Sequence, residues 1–159
     1  MRLLLCQHGL ALPKEVDVQR PLSGQGLAEV RRLAGLLGRA GVRVERVFHS
    51  GKTRAEQTAV LLGAALLPGG QPLALEGLAP NDPVEPLAAA IAGWSADTLA
   101  VGHLPSLGRL ASLLLVGDPR RPLLAFRPGG LACLERDQSG GWSLCWMLGP
   151  EPLGPAGEP

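Results

Sequence analysis

The chain has no tyrosine, only three cysteines, no long apolar run and no excess of either charge. Each shortage narrows what it can be. Fifteen Lys and Arg against 14 Asp and Glu leave a net charge of +1, too balanced for a general nucleic-acid binder. No stretch reaches the roughly 18 apolar residues that suggest a membrane span. No basic leader precedes an apolar segment with a cleavage site either, because apolar residues begin at Leu3. The expectation is a cytoplasmic protein with neither nucleic acid nor membrane among its partners. Cys6, Cys133 and Cys145 lack the paired spacing of zinc ligands and are too few for a disulfide framework, and no other ligand spacing points to a metal or cofactor. The missing tyrosine and the preference for Arg over Lys say nothing about chemistry.

What remains is a globular composition, 46% hydrophobic and 18% charged over 159 residues, enough for one domain with its own core. Residues 1–148 are predicted to form that domain. The Gly/Pro-rich tail, 149–159, is predicted to have little fixed structure.

Leu3 to Cys6 is a continuous apolar run that stops at Gln7-His8-Gly9, the pattern of a strand buried on both faces. Gly9 is expected to let the backbone turn sharply and approach a ligand. After a loop, Ser23 is a plausible N-cap for a helix to about Ala40, with Leu27, Val30, Leu33, Ala34 and Leu37 on one stripe. Val42 to Phe48 alternates and reads as a second strand. His49-Ser50-Gly51-Lys52-Thr53-Arg54 leads into a helix through about Leu67, followed by a short strand at Leu73 to Leu75 and a helix from about Val84 to Trp94. Thr98 to Val101 is a fourth strand, ending in Gly102-His103-Leu104-Pro105, with Pro105 suited to the first turn of a helix over 106–115. Leu131 to Arg136 and Trp142 to Leu148 flank a turn and read as a hairpin. In the symmetric register Cys133 faces Cys145, and two buried thiols are expected there rather than a bridge. The alternation predicts an α/β fold: a three-layer sandwich whose mostly parallel central sheet has helices on both faces and ends in a C-terminal β-hairpin.

This reading puts His8, Arg54 and His103 each just after a strand, on one edge of a parallel sheet. Two imidazoles and a guanidinium beside helix amino ends describe a phosphate pocket. A histidine at one strand end is ordinarily structural. Two of the chain's three histidines at equivalent strand ends are harder to dismiss.

Gln7-His8-Gly9, Arg20-Pro21-Leu22 with Gly26, the segment from Ser50 to Arg54-Ala55-Glu56-Gln57-Thr58, and Gly102-His103-Leu104-Pro105 resemble the histidine phosphatase (phosphoglycerate mutase-like) superfamily. The short chain, RAEQT and GHLP resemble its small SixA-type protein-histidine phosphatases in particular. The resemblance implies covalent phosphoryl transfer without a metal or other cofactor. His8 attacks phosphorus, water hydrolyses the phosphohistidine intermediate, Arg54 clamps the phosphoryl oxygens and His103 donates a hydrogen bond to them. The implied partner is a protein carrying phosphohistidine, or a small phosphorylated compound.

Two positions depart from the family's pattern. Gln7 stands where the family has arginine, so it brings amide donors but no charge and no guanidinium fork. Leu10 stands where relatives often have an acid, which leaves Glu76 and Asp82 as weak candidates for the proton donor, each also readable as a solvated loop carboxylate. Arg20 could reach the phosphate and supply the missing charge, or pair with Asp17. Lys52 and Lys14 could rim the mouth. His49 and Cys6 are read as packing residues, and Arg120, Arg121 and Arg127 as a solvated basic loop. The phosphate-binding set is thus Gln7, His8, Arg20, Arg54 and His103. An enzyme slowed by Gln7 and a non-catalytic phosphate or phosphoprotein binder both fit it.

Overall fold

The structure is a computed structural model, and it describes residues 1–150. The predicted tail therefore lies, from residue 151 on, outside the described residues. The elements follow the order β1 (Arg2–Gln7), α1 (Gly24–Arg39), β2 (Arg46–His49), α2 (Thr53–Leu66), β3 (Leu73–Ala74), α3 (Glu85–Ala92), β4 (Thr98–Gly102), α4 (Ser106–Val116), β5 (Leu131–Arg136) and β6 (Trp142–Leu148). They build a six-stranded sheet in the order β3-β2-β4-β1-β5-β6. β1 runs parallel to β4, and β2 parallel to both β4 and β3, while β5 and β6 are antiparallel. The predicted α/β sandwich is the one found.

Alternation along the central strands divides the core in two. Leu4 and Cys6 of β1, with Leu99 and Val101 of β4, pack on Val30, Leu33, Leu37, Ala59 and Leu62 of α1 and α2. Leu3, Leu5 and Ala100 face the other way, onto Leu87, Ile91, Leu107 and Leu110 of α3 and α4. Burial on both faces explains the unbroken apolar runs in β1 and β4.

α1 begins where predicted: Ser23 is its N-cap and accepts from the Gly26 N–H at 3.0 Å. Gly26 is required by proximity, since a Cβ there would lie 2.1 Å from the Leu10 carbonyl oxygen. Gly9 is also confined by its neighbours. Its Cβ would meet Val30 at 2.8 Å and Leu22 at 3.1 Å, and its φ is not among the positive ones.

Three local expectations change. β2 starts at Arg46, not Val42, because the preceding backbone bonds elsewhere: Val44 N–H to Leu66 O, and Glu45 N–H to Asp97 O. Val42 and Val44 still pack against the core, which produced the alternation. Pro105 stands one position before α4 rather than within its first turn. Cys133 pairs with Trp146 and not with Cys145, because the hairpin is irregular between Cys133 and Leu134. The symmetric register holds from the turn to Leu134 opposite Leu144, and Cys145 is then the extra residue. The shift puts Trp146 and Leu148 on the first core, where a tryptophan buries far more apolar area than a thiol. Cys145 is consequently exposed, against the expectation of two buried thiols, and all three cysteines are free.

Candidate active site

The carboxyl ends of β2, β4 and β1, three adjacent strands, supply the candidate residues. His8 follows β1, and its backbone N–H bonds the Gly102 carbonyl of β4 at 3.1 Å. Its Nδ1 lies 2.7 Å from the carbonyl oxygen of Gly9. A carbonyl only accepts, so Nδ1 carries the ring proton and Nε2 keeps its lone pair. The Arg54 Nε–H donates to that same Nε2 at 3.2 Å, which requires the same tautomer. Burial, with the charges of Arg54 and Arg20 adding to it, lowers the His8 pKa to about 4 against the raising effect of the Gly9 carbonyl. At neutral pH His8 is an uncharged imidazole whose Nε2 lone pair accepts from Arg54.

Arg54 sits in the first turn of α2, where unpaired N–H groups and the helix dipole favour an anion. The helix is braced onto the histidine loop by the residues that follow. Thr58 Oγ1 donates to the Arg54 carbonyl at 2.7 Å and accepts the buried Gly9 N–H at 3.0 Å. Gln57 Oε1 accepts the Leu22 N–H at 2.7 Å and so holds the end of the loop that carries Arg20.

His103 follows β4 and is 2% exposed, its ring centroid 4.7 Å from that of His8 with the planes tilted by 55°. Its Nε2 lies 2.6 Å from Ser50 Oγ, at the end of β2, while its Nδ1 is buried with no hydrogen-bond partner. Burial, and after it His8, Arg54, Lys52 and Arg20, lowers its pKa to about 3.

Of the other predicted residues, Gln7 ends β1 with its backbone tied to Gly130 and Gly129, and its Oε1 is buried without a partner. The Gly129 N–H is shared between the carbonyls of Gln7 and His8, so the segment leading into the final hairpin is tied to the end of β1. Arg20 is the non-glycine residue with positive φ among the described residues, at 49°, a conformation that costs energy and tends to gather near functional sites. Its Nε–H donates to the Leu12 carbonyl at 3.2 Å, and its charge acts on His8, Arg54 and His103. The alternative ion pair with Asp17 does not form; the Asp17 carboxylate accepts the Gln19 N–H instead. Lys52 lies near enough to act on His103, whereas Lys14 is exposed in its loop. His49 is buried, with Nδ1 accepting the Gly51 N–H.

Glu76 and Asp82 line a neighbouring groove of about 880 Å³ that Ser50 joins to the histidines. Asp82 Oδ2 accepts N–H bonds from Gly77 and Ala79 at 3.1 and 2.9 Å, which makes it a brace of its own loop. Glu76 is exposed. Neither carboxylate is hydrogen-bonded to His8, Arg54 or His103. Among the described residues no three His, Cys, Asp or Glu side chains are grouped so as to hold a metal ion, and no helix is long and apolar enough to cross a membrane.

The pocket therefore joins a neutral nucleophilic nitrogen to fixed positive charge, an arrangement suited to a tetrahedral oxyanion and to transfer of its central atom onto nitrogen. Sequence reasoning gave no role to Ser50, Gln57 and Thr58. Gln57 and Thr58 lie three and four positions after Arg54, the spacing that returns to the same helix face, and that was the available signal.

No protein-family profile matches the chain. The phosphohistidine phosphatase SixA of Escherichia coli (strain K12) is 31% identical over 155 residues, 94% of each chain. An uncharacterized protein of Picosynechococcus sp. (strain ATCC 27264 / PCC 7002 / PR-6) is 33% identical over 125 residues, 74% of this chain and 75% of its own. Among solved structures, the protein histidine phosphatase SixA complexed with tungstate superposes with a TM-score of 0.84 at 31% identity, covering 97% of this chain and 100% of that one. The alpha-ribazole phosphatase from Shigella flexneri shares the fold, with a TM-score of 0.78 at 17% identity over 94% of this chain and 97% of its own.

Proposed function

Because the chain belongs to the histidine phosphatase superfamily, among its small SixA-type members, we propose that it is a cytoplasmic, metal-independent phosphohistidine phosphatase working through His8. The observation that carries the reading is the His8 Nε2 lone pair, set by the Gly9 carbonyl and addressed by Arg54 at 3.2 Å. In the first step Nε2 attacks the substrate phosphorus and the bond to the leaving nitrogen breaks, with a proton passing to that nitrogen. In the second, water attacks the phosphorus on His8 and releases phosphate. Arg54, Arg20 and the Gln7 amide hold the phosphoryl oxygens, and His103 donates to the charge that builds on them. Phosphohistidine on a protein suits this site because its P–N bond is labile and an imidazole is easily protonated as it leaves. That matters where no carboxylate stands beside the reacting nitrogen. Tungstate is a tetrahedral oxyanion, so its presence in the SixA complex supports an oxyanion pocket in this fold.

Gln7 supports a second reading. Without the guanidinium the pocket loses one partner of a desolvated charge pair, an effect of about 2–5 kcal/mol, and a phosphate-binding module that does not turn over becomes the alternative. Phosphate release from a phosphohistidine protein by the wild type and by His8→Ala decides between them. We expect turnover that His8→Ala abolishes. A wild type no faster than His8→Ala, yet still binding inorganic phosphate, would establish the binder.

A further inference from the structure

We propose that Ser50 is a positioning residue for His103: in the empty site its hydroxyl accepts the Nε2–H, holding the tautomer whose proton is given to a phosphoryl oxygen once substrate binds and keeping that proton off the nitrogen sealed in the core. The inference rests on the reading of His103 as a donor to the phosphoryl group. It deepens that reading by naming what sets the donor.

The 2.6 Å contact between Ser50 Oγ and His103 Nε2 allows two proton arrangements. If the hydroxyl donates, the ring proton sits on Nδ1, which is buried and has no hydrogen-bond partner. If Nε2–H donates, Nδ1 presents only a lone pair to the same surroundings. Orphaned buried N–H groups are the rarer of the two in folded proteins, under-satisfied acceptors being better tolerated. The second arrangement therefore prevails. The Lys52 N–H also donates to Ser50 Oγ, at 3.4 Å, which ties the hydroxyl oxygen to the backbone in either arrangement. Accepting from His103 leaves the hydroxyl proton free. Ser50 also lines the neighbouring groove, so that proton can turn toward an occupant there.

The charged and titratable groups acting on His103 are His8, Arg54, Lys52 and Arg20, with no carboxylate among them. The ring is thus neutral, and choosing its tautomer is the only way to choose its donor. Ser50 makes that choice.

Nitrogen-15 NMR of the histidine rings in the full-length protein reads the tautomer directly. We expect protonated Nε2 and bare Nδ1 on His103 in the wild type, a mixture with Nδ1–H in Ser50→Ala, and the wild-type pattern in Ser50→Thr. On a phosphohistidine substrate, Ser50→Ala should lower kcat by roughly 3- to 30-fold, with KM within about twofold, and Ser50→Thr should restore most of it. An Nδ1–H ring in the wild type overturns the inference. So does a Ser50→Ala protein whose tautomer and kcat are both unchanged. Turnover that survives His103→Asn would instead reject the donor role of His103 while leaving the tautomer assignment standing, so the two failures are distinguishable.

Discussion

Replacing Gln7 by arginine tests how the pocket is charged. With His8 and His103 neutral, its fixed charges at pH 7 are Arg54 and Arg20, with Lys52 nearby. A phosphoryl group brings about −1.5 to −2. A guanidinium at position 7 adds a charged, forked donor where the amide offers a neutral one. If the roughly 2–5 kcal/mol of a desolvated charged partner is realised in the transition state, turnover rises by about 30-fold or more. The empty protein responds differently. A further cation joins Arg54 and Arg20 where no carboxylate is hydrogen-bonded to the site, which lowers stability. Removing the partnerless buried Oε1 returns about 1–3 kcal/mol of that loss. Inorganic phosphate should therefore raise the Tm of Gln7→Arg more than that of the wild type. Phosphate release from a phosphohistidine protein and thermal melts with and without phosphate measure both effects. A folded Gln7→Arg protein with unchanged turnover and an unchanged phosphate-dependent Tm shift would refute the reasoning.

Two further outcomes follow from the geometry. His8 and His103 have folded pKa values of about 4 and 3, below an unfolded value near 6.5, so the unfolded chain takes up protons first as pH falls. Stability is then full above about pH 6.5 and declines as pH drops toward 4. Urea unfolding between pH 7.5 and 4.5 (on the order of one pH step per curve) should show this slope, and a His8→Ala, His103→Ala double variant should flatten it. Thr58→Val keeps shape but leaves the buried Gly9 N–H without an acceptor, at a cost of about 1–3 kcal/mol in chemical denaturation. Its activity should fall as well, because the same bond holds the His8 loop to α2.

The fold was legible because the apolar runs at Leu3 to Cys6 and Thr98 to Val101 are long enough to betray strands buried on both sides, and the helices between them carry clear stripes. What misled was apolar residues packed on the core outside regular structure, as at Val42 and Val44. The hairpin register was illegible for another reason. Nothing in the spacing of Cys133 and Cys145 shows that burying Trp146 is worth an extra residue in the ladder. In the site, His8 and His103 directly follow strands and Arg54 opens the helix after β2, positions that can be located from the sequence; the structure brings those three side chains together. Ser50 and Thr58 act through hydroxyl contacts between elements 53 and 49 residues apart, a distance that periodicity cannot see. Glycines were the converse case. Gly9 and Gly26 were visible as motif residues, but the close packing of α1 against the His8 loop that they permit was not.

The two ends of the sheet bear on what the protein does in company. One ends in β3, two residues long, and the other in β6, whose ladder with β5 is broken at the irregularity beside Cys133. A short strand and a bulged one are both poor templates for an incoming strand, even though Leu73 and Leu144 are exposed on them. Growth of the sheet from copy to copy is disfavoured at both borders. The irregularity that left Cys145 outside also makes the β6 border a poorer template for edge-to-edge pairing.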